Sequence, residues 1–303
     1  MKSKNIWIWD NDGTLCEFPS WFGAAIRKML PIIAERLGVS EAELGEEIGR
    51  NMIAHRTHET AYPFVGPYFE QIWTGRSHDD FIAQVTEPFF KELDWARTTC
   101  RSYPLGLRAL QSLSTTGSRN FALSDAPLEC ALAKIVALNM QGQLSGVFAM
   151  ESFIPSDELI WNKADFEYCQ NRVTRMRQTL GAHFEHAAVF AIPQGGEKPS
   201  TAGVESMTSI CNFSLSEIAG VVGDSHAKDG GLADKLGVPF FHASHGTQIS
   251  DLDSQVISHL LNPDKGTQFS WHKSEHELPP IFAILDNEDV LQDYLRTAKE
   301  KAA

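Results

Sequence analysis

Short apolar runs alternate with stretches of helical period along this chain, and that alternation constrains the fold more than any other feature. Ile6–Trp9, Asn120–Leu123, Ile218–Val222 and Val238–His242 are apolar almost throughout. Strands buried on both faces, as in a parallel sheet covered by helices, have this character. Leu107, Leu110 and Leu113 recur at helical spacing before the second run, and Leu128 to Leu138 reads as a helix after it. The expected fold is α/β, a doubly wound, Rossmann-like parallel sheet. Ligands of such sheets gather outside the carboxyl ends of the strands. Asp10, Ser124 and Gly223-Asp224 each follow one of these runs and would converge on one crevice.

Residues 16–102 interrupt the alternation. Helical periodicity dominates them, as in Trp21 to Leu37 and Glu41 to Ile53, and they read as an α-helical insertion between the first strand and the next core helix. The core is then 1–15 and 103–303. A charged helical pattern from Asn162 to Leu180 and the run AAVFAI lie in 152–196, which reads as an additional insertion. Beyond Ser244 the chain is polar and His-rich, with a helix expected from about Glu288.

The formal net charge of -13 and the lack of any Lys/Arg-rich run argue against a nucleic-acid-binding face or an anionic membrane surface as partner. The five cysteines are scattered without a CxxC pair, so neither a zinc site nor a disulfide framework is expected. No apolar stretch is long enough to span a membrane, and MKSKNIWIWD is too soon acidic for a signal peptide. The expected setting is cytoplasmic.

Four polar pieces follow in order: DNDGT (10–14), LSDAP (123–127), GEKPS (196–200) and VVGDSHAKD (221–229). Asp10 and Asp12 are like charges at the end of a buried run, costly to desolvate unless a cation compensates them. A calcium-binding EF-hand loop would need its glycine sixth and further oxygen ligands after it; here Gly13 is fourth and Leu15 follows Thr14. The GDS piece could mark a serine nucleophile, but no histidine can be paired with it by sequence.

Together, and in this order, the four pieces resemble the motifs of the haloacid-dehalogenase-like hydrolase superfamily, over residues 5–15 and about 103–244. The resemblance implies a phosphatase-type enzyme with a helical cap at 16–102. Asp10 would be the nucleophile, forming an aspartyl-phosphate. Asp12 would protonate the leaving alcohol and then activate water. Ser124 would donate to the phosphoryl group; its alternative is a helix N-cap. Lys198 would neutralise the transferring phosphoryl group. Mg²⁺ would be held by Asp10, Asp224 and the main-chain carbonyl of Asp12. Asp229 would orient the lysine or hold a metal-bound water.

Two features depart from the family pattern. Asp125 stands where many relatives carry Asn, an odd neighbour for a phosphate unless it points away. The gap from Ser124 to Lys198 is long, so either 152–196 is inserted or the lysine is another, with Lys163 as competitor. Within the superfamily, Asp12 speaks for phosphoryl chemistry over halide release. A Schiff-base lysine in the cap would have to be Lys28 or Lys91, and Lys28 lies on an amphipathic pattern. The implied substrate is a small phosphorylated metabolite, with His55, Arg56, His58 and Arg76 as candidate readers of its leaving group. A phosphotransferase or mutase, and a non-catalytic phosphate-ligand-binding protein, remain open alternatives at this stage.

Overall fold

Every residue of the first apolar run is buried, and it forms the central strand of the sheet. In the computed structural model, which describes residues 4–247, β1 (Ile6–Trp9) pairs in parallel with a neighbour on each side. The helix expected from about Glu288 lies outside the described residues.

Next along the chain come five helices: α1 (Phe18–Leu37), α2 (Glu41–Ala54), α3 (Pro67–Ile72), α4 (His78–Phe81) and α5 (Glu87–Thr98), with a π-helical turn at Ile82–Thr86 joining the last two. Then follow α6 (Pro104–Thr115), β2 (Arg119–Pro127), α7 (Leu128–Ala137), β3 (Gly146–Met150), α8 (Lys163–Gly181), β4 (Ala188–Ile192), α9 (Ala202–Cys211), β5 (Ile218–Gly223), α10 (Gly231–Leu236) and β6 (Phe240–His242). The six strands are parallel, in the order β4-β3-β2-β1-β5-β6.

Strand side chains alternate between two cores, as the period of two demands. Trp7, Trp9, Ala122, Val147, Ala149 and Val222 meet α6 and α7 on one face. Ile6, Ile8, Phe121, Leu123, Phe148 and Val221 meet α9 and α10 on the other. This is the doubly wound α/β architecture expected from the strand runs.

The segment 152–196 is not an additional insertion. It supplies α8 and the edge strand β4, an ordinary crossover unit whose strand pairs with β3 from Gly146↔Ala188 to Met150↔Ile192. The gap between Ser124 and Lys198 is long because the sheet has two more strands than the sequence suggested.

The helical insert has its own apolar cluster, including Trp21, Phe22, Ile33, Leu44, Phe64, Phe69, Phe81 and Phe89, to which Cys169 and Val173 of α8 are added. Its two connections run side by side. Cys16 bridges Ser102 in antiparallel fashion, the Glu17 N–H donates to the Arg101 carbonyl at 2.8 Å, and the Tyr103 N–H to that of Leu15 at 3.1 Å. No helix among the described residues is long and apolar enough to cross a membrane.

Candidate active site

The sheet order reverses at β1: β2, β3 and β4 extend to one side, and the chain returns to lay β5 on the other. A crevice opens at the carboxyl ends where this happens. Register places the candidate residues there. Trp9 aligns with Ala122 on β2 and Val222 on β5, so Asp10 lies level with the ends that carry Ser124 and Asp224. The Asp10 N–H donates to the Val222 carbonyl at 2.8 Å, which extends the ladder to the carboxylate.

Asp10, Asp224 and Asp229 each offer a carboxylate oxygen, and these oxygens lie within 4.8 Å of one another. Lys198 joins two of the three, its Nζ donating to Asp10 Oδ1 at 2.5 Å and to Asp229 Oδ1 at 2.6 Å. Thr14 Oγ1 donates to Asp10 Oδ2 at 3.3 Å. Burial raises the Asp229 carboxyl to about 6 against the pull of Lys198. Asp224 is also pushed well up, by burial first and then by the charges of Asp10 and Asp229. Among the described residues no cationic side chain pairs with Asp224. The cluster is therefore short of positive charge, and its donors are all oxygen, which suits a hard divalent cation such as Mg²⁺.

Two glycines make room for this crowding. Gly13 has φ +83°, and a Cβ there would fall 2.2 Å from Asp224 Oδ2. A Cβ on Gly223 would fall 2.2 Å from the Asp229 carboxyl carbon. The DG and GD pairs of the sequence thus supply carboxylates together with the space to pack them.

The Asp12 carboxylate is not part of the trio. Both its oxygens accept from Lys134 Nζ at 2.7 Å. Burial is the main cause raising Asp12 to about 6; Glu59 and Asp10 push the same way and Lys134 opposes. A carboxyl raised in this way is shifted in the direction a general acid needs.

Ser124 is buried in the carboxyl-terminal half of β2, just before its register with β3 shifts, and its Oγ accepts the Ala126 N–H at 3.1 Å. It does not cap α7, whose N-cap is Pro127. Asp125 has a structural task. Its Oδ1 accepts the Lys198 main-chain N–H at 3.0 Å and its Oδ2 pairs with Lys228 at 2.8 Å, so it anchors the lysine loop. Burial works to raise Asp125, but Lys198 and Lys228 outweigh it and hold the carboxyl low. Lys163 is exposed at the first turn of α8 and is no competitor to Lys198.

The cap candidates divide. His55 stacks on Phe153 with ring centroids 4.3 Å apart, and Arg56 pairs with Glu197 beside the lysine loop at 3.7 Å. His58 packs against Phe18 and Phe22. Burial lowers both His55 and His58 to about 4. Arg76 instead lies over Trp73 and bonds to Arg36 and Gln84, all within the insert. Lys28 pairs with Glu92 on the insert's surface, and Lys91 is likewise exposed.

Lys134 and Glu59 were not foreseen. Lys134 is 0% exposed, and its Nζ donates to Glu59 Oε2 as well as to Asp12. Its signal was available: LECALAKIVA carries two charges in an otherwise apolar helix, and both Glu129 and Lys134 are buried. Glu59 sits in an irregular loop with no periodicity to mark it.

No protein-family model and no curated protein matches the chain. Solved structures resemble it loosely. A candidate beta-phosphoglucomutase from Thermotoga maritima is 14% identical, with 86% of this chain and 97% of that one covered and a TM-score of 0.47. A predicted phosphoglycolate phosphatase from Haemophilus somnus 129pt is 15% identical over 80% and 86%, with a TM-score of 0.43. A HAD phosphatase from Thermococcus onnurineus is 14% identical over 80% and 86%, with a TM-score of 0.39. At these scores the likenesses carry no functional information.

Proposed function

We propose that this chain is a phosphatase of the haloacid-dehalogenase-like superfamily, a Mg²⁺-dependent enzyme acting on a small phosphate ester. The observation that carries the reading is Lys198 shared between Asp10 and Asp229, with the Asp224 carboxylate beside them. It supports reading Asp10 as a nucleophile, Lys198 as the cation for the phosphoryl oxygens and Asp224 as a metal ligand, all at one strand-end crevice. Phosphoryl transfer needs little more than such positioning and charge.

In this reading an Asp10 carboxylate oxygen attacks phosphorus as the ester P–O bond breaks. Asp12 gives its proton to the departing alkoxide oxygen, leaving a phosphoryl group on Asp10. A water oxygen then attacks phosphorus, its proton passes to Asp12, and the Asp10–phosphorus bond breaks to release inorganic phosphate. Lys198 neutralises phosphoryl oxygens throughout, held in line by Asp229, while Ser124 donates its hydroxyl to one of them. Asp10, Asp224 and the Asp12 main-chain carbonyl would hold Mg²⁺, which when bound supplies further positive charge to those oxygens.

The helical insert acts as a cap. Its 55–60 loop rests on Phe153, Glu197 and Lys134 around the crevice, which favours small substrates over phosphoproteins. A phosphate-release screen across sugar phosphates, nucleotides and small phosphoacids tests the function. Mg²⁺-dependent release from at least one class is expected. Failure with every class and with an aryl phosphate overturns it.

A further inference from the structure

One loop of the insert reaches the general acid through a buried lysine. Lys134, on α7 of the core, has Asp12 on one side and Glu59 of the insert on the other. The ammonium has three hydrogens, and three carboxylate oxygens receive them: both of Asp12 and Oε2 of Glu59. The other Glu59 oxygen accepts from Arg97 Nε at 3.0 Å. Arg97 Nη1 donates to Asp94 at 2.6 Å, and Asp94 also receives Arg172 of α8. Acid and base alternate along this chain, which runs from the core through the insert and back to the core.

Burial makes the arrangement demanding. Lys134, Glu59 and Arg97 are nearly or wholly inaccessible, and a buried charge that loses a partner is strongly destabilising. Asp12, at the core end of the chain, stays partly open, its side chain 23% exposed. Its carboxylate is therefore held by Lys134 while part of it remains accessible. Among the described residues Lys134 pairs with Asp12 and Glu59 alone, so withdrawing Glu59 would leave that ammonium on Asp12. Where Glu59 sits thus bears directly on how Asp12 is held.

We propose that Lys134 and Glu59 are positioning residues for Asp12, so that seating of the insert's 55–60 loop sets the general acid in place for proton transfer to the leaving group. This rests on the phosphatase reading above. Neither residue touches the reacting atoms; both act through the Asp12 carboxylate. A role in proton delivery has a signature that mere structural support lacks, namely dependence on how much the leaving group needs a proton.

The test is kcat/KM, which reports the first phosphoryl transfer, for an alkyl phosphate and for p-nitrophenyl phosphate, with Glu59→Gln, Lys134→Met and Lys134→Arg. General acid catalysis is worth about 10²- to 10⁴-fold, and an aryl leaving group needs little of it. Glu59→Gln and Lys134→Met are expected to lower the alkyl ester's kcat/KM at least about tenfold more than the aryl ester's, with Lys134→Arg recovering part of the loss. Equal losses for both esters, or none, overturn the proposal. Glu59→Gln keeps size and one accepting oxygen while removing the charge that faces Lys134 and Arg97, so it carries the test alone if Lys134→Met does not fold. Wild-type protein inactive on both esters would overturn the phosphatase reading and this inference together. An active wild type with an unchanged ester ratio in the variants overturns this inference only.

Discussion

Replacing Gly13 with alanine should disable the site while leaving every proposed catalytic residue in the chain. The added Cβ would stand 2.2 Å from Asp224 Oδ2 and 2.6 Å from its carboxyl carbon, where ordinary contact begins at 3.4 Å. The shortfall is about 1.2 Å, and the Asp224 side chain is the softest thing that can move to relieve it. Moving it takes a proposed metal ligand out of the Asp10–Asp224–Asp229 cluster. A misplacement of about 1 Å can cost about 10²-fold in rate. The φ of +83° adds left-handed strain of about 1–2 kcal/mol for a residue with a Cβ. Steady-state phosphate release under Mg²⁺ titration, with a denaturant melt alongside, measures both effects. A kcat about 100-fold down, a raised Mg²⁺ requirement and a stability loss of about 1–2 kcal/mol are expected. Wild-type turnover at wild-type Mg²⁺ concentrations would refute the argument that Gly13 reserves space for Asp224.

Lys198→Met removes the ammonium shared by Asp10 and Asp229, and kcat should fall at least about 10²-fold; a change within twofold would contradict its role. Trp9→Phe deletes the buried bond from Trp9 Nε1 to Asn120 Oδ1 at 3.0 Å, and the denaturant midpoint should report about 1–3 kcal/mol lost. His55 takes up a proton near 6.5 when unfolded but only near 4 when folded, because it is buried. The unfolded chain therefore binds more protons in that window, and His55's contribution to stability is lost as pH falls from 6.5 toward 4. The stability difference between wild type and His55→Phe should shift against wild type by on the order of 1 kcal/mol per pH unit there and be flat above it.

The strands that lead into the candidate site were legible because they are apolar runs each followed at once by a polar motif. Two others were not. GVFAM at 146–150 is short and follows a polar turn, with nothing catalytic at its end to draw notice. AVFAI at 188–192 was visible as an apolar run, but it is a half-exposed edge strand behind the charged helix α8, and so resembled part of an insertion. The polar site divides in the same way. Asp10, Lys198, Asp224 and Asp229 belong to local patterns after strands; register aligns Asp10 with Asp224, and the loop and helical turn that follow β4 and β5 bring in Lys198 and Asp229. Asp125 looked misplaced until its partners appeared, since anchoring the Lys198 N–H is a contact across 73 positions of sequence. Lys134 and Glu59 are 75 positions apart, and only folding of the insert onto the core joins them. Long-range pairs of this kind leave no spacing signal. The nearest hint was a lysine in an apolar helix.

Asp10 as the nucleophile is the central claim, and the most direct test is to trap the group it would carry. Acid quenching of the enzyme during turnover with Mg²⁺ and an aryl phosphate, followed by peptide mass analysis, should recover a phosphoryl group on the peptide containing Asp10. Asp10→Asn should yield neither that adduct nor turnover. Near-wild-type phosphate release by Asp10→Asn, or a phosphoryl group found on a different residue, would contradict the account.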